Sequence, residues 1–375
     1  MRILVAGGGT GGHFYPALAM CEGLKKKYPA ARFTYIGTRT GVEARVLPDY
    51  DWIAFHPILA SGIVRGNWTK NVVGVMRLLA GFVQTVLLFL RYRPQLVIGV
   101  GGYSSFGPVI LGAFLGRVLP IRTAIHEQNV IGGLANRWLS RFVDLVMLSF
   151  PQSERSFPHA RKTVVTGNPI REEFLHVKRS PALYRHFGLE PNRRTILVFG
   201  GSKGATEITE QVLLGKEMIA RNQDLQILLI TGDDISEATI RDDLAISGVT
   251  NIVVKGYVYQ MGAAFAIADL VVCRAGATSL AEITSCGKAS MLVPWKEAAD
   301  DHQRKNAEWM EEERACIVAG DDVMVHQGLV GAILGQMDDE LGLERMAGNA
   351  MRMGQRSAES AILGEIHSLM RGGRL

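Results

Sequence analysis

The chain has 375 residues, 47% of them hydrophobic and 21% charged, with 42 glycines, four cysteines and a formal net charge of +5. That length exceeds one ordinary core and suits two domains, and the composition excludes a disordered, collagen-like or disulfide-stapled chain. Cys21, Cys273, Cys286 and Cys316 lie far apart with no C-x-x-C pair, so the expectation is a reduced compartment, no disulfide and no structural zinc.

In chain order, the first apolar run, RILVA, leads into GGGTGGHFYP. No basic start, apolar middle and small-residue cleavage site precedes those glycines, and the expectation is a chain retained inside the cell. RFTYIG reads as the second strand. VVGVMRLLAGFVQTVLLFL (72–90) follows, interrupted by Arg77 and Gln84. A bilayer span needs roughly 20 residues with few or no charges, so a crossing is not expected. Most of it reads as a core-packed crossover helix. Its N-terminal part and the preceding loop are the alternative contact with an anionic membrane surface, since Arg65, Lys70, Arg91 and Arg93 flank it.

QLVIGV, RTAIHE and DLVMLS complete one set of buried parallel strands, and VVTGNPIREEF with the polar stretch to about residue 192 marks the break. RTILVFG, LQILLIT, NIVVKG, DLVVCR and SMLVPW form the second set. An amphipathic segment near 358–370 has no strand after it and can pack on either domain. The fold class is α/β, two Rossmann-like parallel-sheet domains expected to face one another across a cleft. The boundaries are residues 1–168 for the first domain and 169–356 for the second, with the helix at 357–375 able to pack back on the first. Charge is uneven: residues 1–175 carry 20 Lys+Arg against 9 Asp+Glu, a net of +11, which leaves −6 for 176–375. The first half therefore favours anionic partners.

Three strands end in glycines: LVAGGGTGG at Leu4, VIGVGGYSSFG after Leu96 and LVFGGSKGA at Leu197. Such turns offer backbone N–H groups at a helix N-terminus, where a phosphate is favoured. Gly7, Gly9 and Gly12 also satisfy G-x-G-x-x-G, so a dehydrogenase competes. Against it, Gly37 and Thr38 stand where an acidic ribose ligand is usual, although Arg39 suits a 2′-phosphate. Two phosphate cradles imply two phosphorylated ligands, which fits a transferase better than a hydride carrier. His13 directly follows a glycine turn, and imidazole has the proton affinity to take a hydroxyl proton near neutral pH.

GGTGGHFYP (8–16), GGYSSFGP (101–108), HEQNVIGGLANRWL (126–139), GNPIR (167–171), GGSKGA (200–205), RAGATSLAEI (274–283) and DHQRKNA (301–307) occur in that order. Together they closely resemble the peptidoglycan UDP-N-acetylglucosamine:undecaprenyl-pyrophosphoryl-MurNAc-pentapeptide N-acetylglucosaminyltransferase family. The resemblance spans essentially the whole chain. It implies the GT-B fold and inverting transfer of GlcNAc from UDP-GlcNAc to the 4-hydroxyl of MurNAc in lipid I, giving lipid II. It also implies a peripheral enzyme at the cytoplasmic face of the inner membrane, with cell-wall synthesis and division proteins as partners and no nucleic acid. No tightly bound cofactor and no divalent metal is required.

Carried over by resemblance, His13 is the general base or orients the acceptor hydroxyl, and Glu127 is the alternative base. Thr10, Gly11, Gly12 and Asn129 face the donor. Gly9, Gly101, Gly102 and Tyr103 hold the acceptor pyrophosphate. Ser202 and Arg171 face the nucleotide diphosphate, the Val258 backbone reads uracil, and Met261 packs near the base. Ala277, Thr278, Ser279, Leu280 and Ala281 form the helix entrance beneath the phosphates, Glu282 accepts the ribose hydroxyls, and Gln303 reads GlcNAc hydroxyls. The plainer readings are a solvated helix residue for Glu282, a surface amide for Gln303, a linker ion pair for Arg171 and a structural role for His126. Asp49-Tyr50-Asp51 resembles a D-x-D metal motif but reads as a surface turn. A UDP-sugar epimerase and a nucleotide-binding subunit without its own activity are the remaining rivals.

Overall fold

The structure, a computed structural model, describes residues 1–60, 68–201, 204–232, 236–320, 323–324 and 328–372. The chain divides into two compact units, Met1–Ile170 with Ser357–Leu375, and Arg171–Arg356.

The first unit is a seven-stranded sheet of β1 (Arg2–Ala6), β2 (Arg32–Gly37), β3 (Ile53–Pro57), β4 (Leu96–Gly99), β5 (Arg122–Glu127), β6 (Leu145–Leu148) and β7 (Thr163–Val165). Its order is β3-β2-β1-β4-β5-β6-β7, every pairing parallel. The β1 side chains from Ile3 to Ala6 are all buried, as a strand covered on both faces requires. The connections include α1 (Gly11–Lys27), α2 (Val42–Val46), α3 (Trp68–Tyr92), α4 (Tyr103–Leu115) and α5 (Leu134–Leu139).

The last helix, Ala358–Arg371, packs in this unit, with Ile362 and Ile366 fully buried among Ile3, Leu18 and Tyr35. The Tyr28 hydroxyl meets His367 Nδ1 at 2.5 Å, and Lys162 pairs with Glu365 at 2.6 Å.

α3 departs from the sequence reading. Val75, Met76, Leu79, Phe82, Val83, Leu87 and Leu90 are all exposed, a three-and-four-residue stripe that runs the length of the helix, while Thr85 and Phe89 face inward. Periodicity showed that the segment is helical but not that its broader apolar face is exposed among the described residues. Its stretch Gly74–Tyr92 is long and apolar enough to cross a membrane by composition alone. Arg65 lies outside the described residues, as does the side chain of Lys70.

The second unit is a six-stranded parallel sheet of β8 (Arg194–Phe199), β9 (Leu225–Ile230), β10 (Ile252–Lys255), β11 (Leu270–Cys273), β12 (Ala289–Leu292) and β13 (Ile317–Val318), ordered β10-β9-β8-β11-β12-β13. Its core packs the fully buried Ile196, Val198, Ile227, Leu229 and Val272 against Leu329 and Ile333 of the helix Leu329–Met337.

Candidate active site

In the first unit the strand order reverses between β1 and β4, since β2 and β3 lie to one side and β5 to β7 to the other. Ligands of open parallel sheets bind beyond the carboxyl ends of the strands at such a point. The turn after β1 and the turn after β4 meet there. A Cβ on Gly7 would lie 2.7 Å from the Gly101 carbonyl oxygen, and one on Gly102 2.8 Å from that of Gly8. Only residues without side chains let the two backbones approach so closely.

His13 is in the first turn of α1, and Gly101, at φ +90, makes room for it: a Cβ there would stand 3.0 Å from the ring's Cε1. Its Nδ1 lies 2.9 Å from Gln128 Oε1. Gln128 Nε2 in turn meets His126 Nδ1 at 3.0 Å and the His126 carbonyl at 3.1 Å, and His126 Nε2 meets the Gly167 carbonyl at 3.0 Å. Burial pushes the His126 pKa down to about 4, with the Gly167 bond and Glu127 pulling the other way. His126 is therefore buried and neutral.

Two expected roles are corrected. Glu127 is 1% exposed and its carboxylate is saturated: Oε1 accepts from the Asn129 backbone and side-chain amides at 3.0 and 3.2 Å, and Oε2 from Gly133 N and Asn136 Nδ2, both at 2.9 Å. A carboxylate whose two oxygens already accept four hydrogen bonds from its own loop shapes that loop and has no oxygen turned to a substrate hydroxyl. Asn129 is turned into the same network, its carbonyl accepting from Ser153 Oγ at 2.7 Å.

The Gly9 N–H, assigned to a pyrophosphate, donates instead to Glu43, 3.1 and 2.9 Å from the two carboxylate oxygens. Glu43, at the start of α2 and fully buried, also accepts from the Thr38 amide and hydroxyl, both at 2.7 Å. The acid missing from the end of β2 thus enters from the next helix and braces the glycine turn from beneath. Nothing in the local pattern around Glu43 marks it. Gln128 sat inside the HEQN motif but was not singled out. Thr10, Gly11 and Gly12 form the entrance to α1, and exposed Tyr103 begins α4 behind Gly102, at φ +78.

The second unit repeats the arrangement, its order reversing between β8 and β11. Gly200 and Gly201 follow β8, and the Gly204 N–H closes that turn on the Gly201 carbonyl at 3.0 Å; Ser202 lies outside the described residues. Arg274 to Gly276 follow β11 and lead into the helix Ala277–Cys286. On it Ala277, Thr278, Leu280 and Glu282 are buried, and Ser279 and Ala281 half-buried.

Arg171 gathers this site. Its guanidinium lies 2.9 Å from Glu173, 3.4 Å from Glu282 and 3.3 Å from the Tyr259 carbonyl, beside half-buried Val258 and just before Met261, which begins the helix Met261–Ile267. Burial raises the Glu282 carboxyl to a pKa of about 7, Arg171 resisting the shift. Gln303, in the first turn of the helix His302–Glu312, accepts from the Trp295 amide at 3.0 Å, and Asn306 of that helix donates to the Ala275 carbonyl at 3.1 Å. Asp300 and Asp301 before it are both left-handed, at φ 52 and 54. Paired non-glycine residues in that region store strain, which concentrates at functional turns.

Known proteins divide in the same way. Residues 3–148 match the glycosyltransferase family 28 N-terminal domain and residues 195–362 the family 28 C-terminal domain. UDP-N-acetylglucosamine–N-acetylmuramyl-(pentapeptide) pyrophosphoryl-undecaprenol N-acetylglucosamine transferases from Desulforudis audaxviator and Listeria monocytogenes are 36% and 38% identical. The matches cover 98% of this chain and 98% of the first relative, and 99% and 100% for the second. The chain belongs to this transferase family. Among solved structures, Acinetobacter baumannii MurG matches with TM-score 0.72 and 27% identity over 98% of this chain and 99% of its own. A structure described as a UDP-N-acetylglucosamine 2-epimerase from Listeria monocytogenes matches with TM-score 0.71 at 13% identity, covering 100% of this chain and 97% of its own. At that identity the likeness concerns the GT-B fold alone, two Rossmann-like domains that this family shares with other UDP-sugar enzymes.

Proposed function

We propose that the chain transfers N-acetylglucosamine from UDP-GlcNAc to the 4-hydroxyl of MurNAc in undecaprenyl-pyrophosphoryl-MurNAc-pentapeptide, forming lipid II with inversion at the anomeric carbon. The observation that carries the reading is His13, set at the switch point of the first sheet against the Gly101 turn in a family of lipid-linked GlcNAc transferases.

The second unit takes UDP-GlcNAc. Glu282 accepts the ribose hydroxyls, Arg171 and the loop of Val258 and Met261 frame the nucleotide, and Gln303 reads the sugar. Ser202, the Gly200–Gly201 turn and the helix beginning at Ala277 counter the charge that gathers on UDP as it leaves. Those N–H donors supply the stabilisation a divalent metal would otherwise give, so the step calls for none. The first unit takes lipid I, with Gly101, Gly102 and Tyr103 at the start of α4 near its pyrophosphate, and Thr10, Gly11 and Gly12, at the entrance to α1, are the residues proposed to contact the donor. In one displacement the acceptor oxygen bonds the anomeric carbon, the bond to UDP breaks, and the hydroxyl proton passes to His13.

The exposed face of α3 supports peripheral attachment to the cytoplasmic face of the inner membrane. Phe114 on α4, which packs on α3, and Trp138 on α5, which packs on α4, are also exposed, with Arg117 and Arg141 over their rings at 4.8 and 5.2 Å. Apolar rings topped by cations suit an anionic interface. Cell-wall synthesis and division proteins would be met at the same surface.

His13→Ala tests the chemistry. Turnover with a lipid I analogue falls roughly 10²–10⁴-fold, the usual contribution of a positioned base, while UDP-GlcNAc affinity is unchanged. A variant that turns over like the parent removes His13 from the reaction.

A further inference from the structure

We infer that Gln128 and His126 are positioning residues that hold His13 in the Nδ1–H tautomer, leaving its Nε2 lone pair to receive the acceptor's proton. The inference deepens the reading of His13 as base and rests on it for its catalytic meaning.

One atom at the inner end of the relay has no choice of role. The Gly167 carbonyl can only accept, so His126 Nε2, 3.0 Å away, carries the hydrogen. His126 is fully buried, and desolvation there opposes a second proton. Its Nδ1 is therefore bare and needs a donor. The group 3.0 Å from it is the Gln128 side chain, so the NH2 end of that amide faces His126. The second N–H of the same NH2 lies 3.1 Å from the His126 carbonyl, another obligate acceptor, which fixes the amide orientation a second time. The Gln128 oxygen consequently faces His13 Nδ1 at 2.9 Å, and an amide oxygen accepts only. His13 Nδ1 must carry the hydrogen.

Reversing the amide would require two hydrogens on His126, a buried cation, and would set the amide oxygen against the His126 carbonyl oxygen, two acceptors with no hydrogen between them. Gln128 is 1% exposed, so water does not compete for either end of the amide. Free imidazole interconverts between its tautomers; here the relay chooses one and also fixes the ring plane beside Gly101. An amide does this without adding a buried negative charge beside the ring.

The test begins with the unaltered protein. With ring-15N histidine at pH 8, long-range ¹H–¹⁵N correlations report His13 as the Nδ1–H tautomer and His126 as the Nε2–H tautomer, each assigned by its disappearance in His13→Ala and His126→Asn. Finding His13 mainly as Nε2–H, or His126 protonated at Nδ1, overturns the relay. Gln128→Met removes both ends of the amide: the His13 signal becomes a mixture of tautomers and kcat falls at least about tenfold, with the UDP-GlcNAc KM unchanged. Gln128→Glu, whose carboxylate still accepts from Nδ1, keeps the tautomer and moves the acid limb of the kcat/KM profile to higher pH. A merely structural Gln128 would lower stability in both variants and leave tautomer and pH limb alone, which also overturns the proposal. The resonance measurement needs no turnover. If His13→Ala transfers normally, the base assignment fails and the relay stands; if the tautomer is wrong, the relay fails whichever group is the base.

Discussion

Glu282→Gln separates the binding role of the second unit from its stability. Glu282 is 5% exposed and its carboxyl is raised to a pKa of about 7 by burial, with Arg171 3.4 Å away as partial compensation. A folded-state pKa above that of the unfolded chain means the folded state binds the extra proton. Stability is therefore fully present below the ordinary carboxyl range and is lost as pH rises through about 7. Against a reference of 4.5, the loss is about 3 kcal/mol in total above pH 7, of which about 2 kcal/mol falls between pH 5.5 and 8. Glutamine keeps an oxygen for Arg171 and removes the titration, and Arg171 retains Glu173 at 2.9 Å. Urea unfolding at the two pH values should show the stability of Glu282→Gln relative to the parent rising by about 2 kcal/mol from pH 5.5 to pH 8, while UDP-GlcNAc binding weakens. A variant destabilised equally at both pH values would refute the reasoning, because it would mean that a permanently charged Glu282 stabilises the fold through Arg171.

Glu43→Gln should cost about 3 kcal/mol, since an acceptor-only group serving Gly9 and Thr38 becomes one that presents hydrogens to donors; thermal unfolding at pH 7 measures it, and an unchanged midpoint contradicts the brace. Ile362→Ala empties a fully buried position between the last helix and the first sheet and should destabilise by about 3 kcal/mol in urea titration, whereas a loss under about 0.5 kcal/mol would mean that the helix is not docked there. Replacing exposed Leu79 and Leu87 together by Asp should abolish co-flotation with anionic vesicles and leave the unfolding midpoint unchanged. Retained flotation would place the membrane contact elsewhere.

The sequence made ten of the thirteen strands among the described residues visible, because buried parallel strands read as short Val, Ile and Leu runs between helical periods. The three it hid, β3, β7 and β13, are three of the four outer strands; the fourth, β10, was legible in NIVVKG. IAFHP carries a His and a Pro on a half-buried edge, TVV has three residues and IV two, too little for periodicity to register. Residues fixed by chain-local chemistry, such as the glycine turns and His13, were legible. Glu43 was not, because its meaning lies in Gly9, 34 residues away. Gln128 acquires its role only through His13, 115 residues away, and the Glu127 carboxylate looked catalytic until its four donors were counted. The outward face of α3 was obscured for a related reason: an apolar stripe has the same spacing whether it meets a core or a lipid surface.

The most direct test incubates the purified protein with labelled UDP-GlcNAc and a lipid I analogue and analyses the product by mass spectrometry and NMR. The account predicts a β-linked GlcNAc–MurNAc disaccharide on the lipid and release of UDP, both dependent on the acceptor. Conversion of UDP-GlcNAc to another UDP-sugar without acceptor, or no transfer by a protein that binds UDP-GlcNAc, would contradict it.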